Sequence, residues 1–251
     1  LVDGVVDQGK PVQANRVLAA VHAMLTWAVD RELLDANPAA GVKKPTKEKP
    51  RERVLTDTEL VKVWKAADAL GYPAAPYIKT LILTGARRDE AREMRWREVD
   101  LDKALWTIPG ERAKNGEPHV VPLSEVMLDL LRGLPRFTGG DYVYTAGDGA
   151  KPYANVIKPK KRIERDSKVT GWTLHDLRRT AASGMGDLGI AGETIARVLN
   201  HAEGQIAGIT ARYNRADQTE AKRRALEAWA QHVCELANGV TADNVVSINV
   251  Y

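Results

Sequence analysis

A single cysteine, Cys234, occurs in 251 residues, which excludes an internal disulfide framework. No charged-then-apolar leader opens the chain and no run of roughly 18 apolar residues interrupts it, so the signals of export and of a helical membrane span are missing. Low-complexity tracts, internal repeats and the composition of a disordered or collagen-like chain are missing too. The five histidines, His22, His119, His175, His201 and His232, show neither an HExxH pattern nor clustered carboxylate spacing, so no metal site and no cofactor are expected. These absences leave a soluble, intracellular protein without a membrane partner. The first residue is Leu1 rather than Met, and the opening "LVDGVVDQGK" carries no N-terminal signal, so a longer polypeptide is expected upstream.

The length allows one large domain or two smaller ones, each with a core of its own. A net charge of +4 and a pI near 9.1 permit nucleic acid as a partner without requiring it. The placement of charge says more. Between Val42 and Thr56, "VKKPTKEKPRERVLT" carries Lys43, Lys44, Lys47, Lys49, Arg51 and Arg53 against Glu48 and Glu52, and Pro45 and Pro50 break any helix. Two readings stand side by side: a solvated interdomain linker, or one that also lies along a phosphate backbone and gains from counterion release.

Upstream, Val17, Leu18, Val21, Met24, Leu25 and Ala28 recur at helical spacing, and "NPAAG" ends the segment. Some 45 residues make a poor independent core, so this helix is expected to complete a small helical domain. Downstream, Thr56 with Glu59 forms a capping-box signature for a helix that stops near Gly71, and a second apolar helix runs to a break at Thr84-Gly85, after which "ARRDEAREMRW" resumes helical spacing. From Glu98 to Leu123 the pattern changes to short strands joined by glycine-containing turns, with Asn115-Gly116 as a two-residue hairpin turn. Helices are then expected over 124–133, 153–166, 174–188, 192–200 and 216–236, with a strand-like tail "NVVSINV". The fold class is therefore mainly α with a small antiparallel β-sheet (α+β).

Five stretches carry chemistry. In "TGARRDE", Gly85 allows a tight break that puts Arg87 at the start of a helix, where free N–H groups favour an anion; Glu90, three residues on, shares its face and can orient the guanidinium. Taken alone, the same pair is an ordinary surface ion pair. In "LHDLRRT", Thr173 can cap a helix whose apolar stripe is Leu174, Leu177, Ala181, Met185 and Leu188. His175 and Arg178 share another face, and Arg179 is turned about 100 degrees from Arg178. Lys114 sits on the shoulder of the expected hairpin, exposed and able to donate a proton. "LNH" ends at His201, and "ITARY" places Tyr213 before the last long helix.

In this order, Arg87, Lys114, His175, Arg178, His201 and Tyr213 resemble the catalytic set of tyrosine recombinases, the integrases of phages and genomic islands; the likeness covers about residues 51 to 235. "NRVLAAVHAMLTWAVDRELLDANPAAGVKKP" and "ALEAWAQHV" are similar to integrases of the genomic-island type. The resemblance implies that 1–41 is the end of a helical core-binding domain, 42–55 a basic linker, 56–236 a catalytic domain and 237–251 a tail. That tail docks either on a neighbouring subunit or on its own domain. It also implies strand cleavage and rejoining through a 3′-phosphotyrosyl intermediate on double-stranded attachment sites, in a homotetramer on two DNA sites with accessory DNA-bending proteins, on the nucleoid in a bacterial cytoplasm. Context favours Tyr213 over Tyr153 or Tyr144 as nucleophile, although the interval "HAEGQIAGITARY" is longer than in many relatives. A DNA-binding protein with the fold but no activity, and type IB topoisomerase-like strand passage, stay open as alternatives.

Overall fold

The computed structural model describes residues 1–201 and 215–239, so Tyr213 and the expected tail strand lie outside the described residues. Two compact units divide the chain, Leu1–Glu52 and Arg53–Tyr251. In the smaller, α1 (Val2–Val6) precedes α2 (Pro11–Asp30), with Pro11 in the first turn, where its missing N–H costs no hydrogen bond. The apolar stripe of α2 forms, but Leu18 is its one fully buried member and Met24 is exposed, because this unit offers it few apolar partners. A polar contact does more here. The buried Asn15 side chain donates to Thr46 O and to Glu48 Oε1, both at 2.9 Å, and pins the basic segment to α2.

The larger unit opens with α3 (Asp57–Asp68). The Thr56 N–H donates to Glu59 Oε2 at 3.0 Å and the Glu59 N–H to Thr56 Oγ1 at 3.3 Å, the expected capping box. Every residue of α4 (Ala74–Thr84) except Lys79 is buried, as a helix apolar on all sides requires, and it runs through the centre of the unit. Around it pack α3, α8 (Leu174–Asp187) and α10 (Arg215–Asn238). Trp229 of α10 donates through Nε1 to Ile82 O at 2.8 Å. Its ring lies so close to α8 that a Cβ on Gly184 would stand 2.1 Å from Trp229 Cζ3, so that position admits only glycine.

The remaining elements frame the site. Gly85 ends α4 in the left-handed region at φ 61°. The helix after it, α5 (Arg88–Arg92), is only five residues long, shorter than the spacing of "ARRDEAREMRW" predicts. Met94 and Trp96 are both buried; two positions apart on a helix they would face opposite ways, so the chain leaves the helix to bury both. A three-stranded antiparallel sheet follows in the order β1 (Val99–Asp100), β2 (Leu105–Ile108), β3 (His119–Pro122).

The two-residue hairpin at Asn115-Gly116 is not formed. The β2–β3 ladder closes at Ile108↔His119, which leaves residues 109–118 as the connection. The N–H groups of Arg112 and Ala113 both turn back to Pro109 O, so this stretch winds instead of extending, and Gly116 closes a turn onto Ala113 O at 3.0 Å. Beyond the sheet lie α6 (Glu125–Arg132), capped by Ser124, α7 (Ile157–Ser167), which starts four residues later than expected, α8 and α9 (Gly192–Val198). The architecture is mainly helical with a small antiparallel sheet, the α+β class read from the sequence. Among the described residues no helix is long and apolar enough to cross a membrane.

Candidate functional site

Two arginines from distant elements meet at the C-terminal end of α9. Arg178, on α8 and only 5% exposed, donates through NH1 to Gly85 O at 2.7 Å and through NH2 to Leu199 O. Arg87 donates through NH2 to Asn200 O at 3.1 Å, so consecutive carbonyls at a helix C-terminus hold the two guanidiniums. The other end of the Arg87 fork is held by Glu90: NH1 donates to Oε1 at 2.8 Å. With Glu90 5% and Arg87 23% exposed, this is a half-buried orienting pair.

The same carboxylate also takes the Arg87 N–H, at 2.9 Å to Oε2. This corrects one expectation, since the N–H at the start of α5 is occupied by the protein's own carboxylate. Each guanidinium has five N–H donors, of which two go to the partners just named among the described residues.

Two guanidiniums share one buried carboxylate here, that of Glu90. Burial and then the Arg87 charge push Arg178 down to about 10, with Glu90 acting in the opposite sense. His175, in the first turn of α8, is held below the ordinary imidazole value by partial burial and by the charges of Arg179 and Arg178, which favours its neutral form. Arg87, His175 and the exposed Lys114 line one cleft of about 680 Å³, with Glu111, Thr173 and Trp172 among its other walls. His201 follows directly on Asn200, its N–H donating to Ala196 O at 2.9 Å. The structure thus brings Arg87, Glu90, Lys114, His175 and Arg178 together with the backbone of His201, and leaves Tyr213 outside the described residues.

The six basic linker residues fall in two units. Lys43, Lys44, Lys47, Lys49 and Arg51 are exposed in the smaller unit, whereas Arg53 belongs to the larger unit and its fork is closed on Glu59, at 2.9 and 2.6 Å. Arg179 also has a definite partner, donating at 2.7 Å to Asp176, whose carboxylate is 0% exposed and accepts the Thr173 N–H and hydroxyl at 2.8 and 2.9 Å. Leu188, expected in the apolar stripe, is exposed at the end of α8.

Several supporting residues were not read from the sequence as part of the site. His119 is buried in β3 with Nε2 3.1 Å from Val198 O; a carbonyl only accepts, so Nε2 bears the hydrogen. Burial and the charge of Lys222 drive the ring to about 3, fixing it neutral. Asn115 and Asn200 exchange amide hydrogen bonds at 3.1 and 3.3 Å, and Asn200 adopts φ 51°. Only the residue at "LNH" had a possible signal, asparagine being among the few non-glycine residues that tolerate this conformation. Among the described residues no three His, Cys, Asp or Glu side chains gather as a metal site.

Known proteins are similar along most of this chain. Prophage integrases IntZ and IntA of Escherichia coli (strain K12) are 29% and 25% identical to it over 91% and 89% of its length. The chain spans 57% of the length of each of them. Among solved structures, a lambda integrase (75–356) dimer bound to a COC′ core site shares the fold with a TM-score of 0.66 at 20% identity, covering 83% of this chain and 79% of that one. The site-specific recombinase XerH bound to difH substrate has a TM-score of 0.59 at 17% identity, covering 86% and 66%. Residues 53–220, the stretch that contains every element of the cleft, match the phage integrase family, and the chain belongs to it.

Proposed function

We propose that this chain carries the catalytic part of a tyrosine site-specific recombinase, which cuts and rejoins DNA strands at attachment sites for integration or excision. The observation that carries the proposal is the convergence of Arg87 and Arg178 on consecutive carbonyls beside a cleft also lined by His175 and Lys114, two guanidiniums against the one carboxylate of Glu90. Such a site fits a phosphodiester. Guanidinium forks clamp its two non-bridging oxygens and stabilise the charge that grows as the phosphorus becomes five-coordinate. His201 adds a hydrogen bond to the same oxygens.

Tyr213 supplies the nucleophile. A phenol near pKa 10 needs its proton removed during attack, and the neutral His175 accepts it. The tyrosyl oxygen bonds to phosphorus, the bond from phosphorus to the 5′-oxygen breaks, and Lys114 protonates that oxygen. One phosphodiester is exchanged for another, so rejoining needs neither ATP nor a metal. The smaller unit, with the end of a core-binding domain, and its exposed lysines lie along the DNA backbone. Lambda integrase has been solved as a tetramer bound to a Holliday junction, which supports a homotetramer on two double-stranded sites here. The test is a nicked suicide duplex carrying the attachment sequence recovered from DNA flanking the encoding gene. A covalent protein–DNA band is expected, lost in Tyr213→Phe while DNA binding persists; equal bands from both proteins would overturn the Tyr213 assignment.

A further inference from the structure

Lys114 stands on the connection between β2 and β3, a ten-residue stretch whose ends are only as far apart as two paired strands. A proton donor on such a stretch needs a fixed seat, because general-acid catalysis depends on reach within hydrogen-bond distance. Two anchors on either side of Lys114 supply one. On the N-terminal side, Arg112 donates through NH1 to Glu90 O at 3.3 Å and through NH2 to Glu98 Oε2, tying the base of the connection to Glu90, which orients Arg87, and to Glu98 before β1. On the C-terminal side, Asn115 and Asn200 form a reciprocal amide pair, Nδ2 of each donating to Oδ1 of the other at 3.1 and 3.3 Å.

Asn200 is a junction. Its side chain holds the Lys114 connection, its carbonyl accepts from Arg87 at 3.1 Å, and its chain neighbours are Leu199, whose carbonyl holds Arg178, and His201. The positive φ of 51° lets one residue turn its amide toward the connection while its carbonyl faces the arginine.

We propose that the Asn115–Asn200 amide pair is a positioning device that seats Lys114 over the scissile phosphate and links that seat to the arginine clamp. Neither asparagine touches the reacting atoms. The proposal rests on the reading of Lys114 as the proton donor to the 5′-oxygen, and the experiment separates the two. Single-turnover cleavage is measured on the suicide duplex with a normal 5′-oxygen and with a 5′-bridging sulfur at the scissile position, because a thiolate leaves without a proton. Lys114→Ala should cleave the oxygen substrate about 10²- to 10⁴-fold more slowly and recover on sulfur. Asn115→Ala, an exposed change that leaves the core intact, should lose about ten- to a hundredfold on oxygen and recover on sulfur in the same way. Asn200→Gly, which keeps the positive φ and the carbonyl, should behave like Asn115→Ala.

If Lys114→Ala recovers on sulfur but the asparagine variants are equally slow on both substrates, or are unimpaired on oxygen, the positioning role is overturned and the Lys114 reading stands. If Lys114→Ala itself fails to recover, both fall.

Discussion

The two walls of the cleft are built on opposite principles. On one, Arg87 and the buried Glu90 line the cleft with the buried Arg178 beside them, and the two arginines are held by backbone carbonyls and a carboxylate from elements that also form the core. On the other, Lys114 is exposed on a winding connection held by Arg112 and an amide pair. A group that must stabilise charge benefits from being immobile, since preorganised donors need no rearrangement when the charge develops. A group that must give up a proton and regain it benefits from contact with solvent. The contrast predicts that damage to the clamp wall is severe and cannot be relieved by changing the leaving group, whereas damage to the connection wall is smaller and can.

The largest expected effect tests the buried wall. Arg178→Lys keeps a charge but loses the planar fork that spans Gly85 O and Leu199 O; single-turnover cleavage should fall by about 10²- to 10³-fold, with no recovery on a 5′-sulfur substrate. Recovery on sulfur would show that the two walls are not distinct. Next comes the neutral buried histidine. The folded value of His119 is about 3 and its ordinary value about 6.5, so the unfolded chain takes up a proton first as pH falls. Stability is thus full above about pH 6.5 and declines as pH falls toward about 3, by up to about 1.4 kcal/mol per pH unit from this one group. Urea melts across that range should show a shallower decline for His119→Gln; an unchanged slope would remove His119 from the account.

The smallest effect concerns Arg179, the sequence neighbour of Arg178. Its loss leaves Asp176 with the Thr173 donors but one charge partner fewer, and Arg179 is itself 33% exposed, so Arg179→Ala should cost about 1–2 kcal/mol in urea melts. Cleavage below the melting range should stay within about tenfold of the parent protein. Cleavage abolished in Arg179→Ala but kept in Arg178→Lys would mean that the faces of α8 have been misread.

Local signals were legible where one element contains its own explanation. The capping box at Thr56, the helix start at Thr173, the glycine stop at Gly85 and the apolar α4 all form as their spacing predicts. Errors arose where the surroundings of a residue override its local preference. Asn115-Gly116 has the composition of a hairpin turn, yet the ladder ends at Ile108↔His119 and the Asn115 side chain turns to Asn200. Leu188 fits the spacing of the α8 stripe but falls where the helix ends and its partners run out. In the linker, Arg53 looks like its basic neighbours until Glu59, on the first turn of α3, claims its fork.

The order of residue types along one chain was enough to determine the class of fold, the family, and which side chains share a helix face, because those depend on periodicity and on motifs that are local in sequence. Which arginine is buried, what holds it, and how the lysine connection is tied down were decided only by the tertiary structure. The carbonyls of Gly85, Leu199 and Asn200 that hold the clamp belong to every residue type alike, and nothing in a sequence marks a carbonyl as a ligand until folding brings an arginine to it.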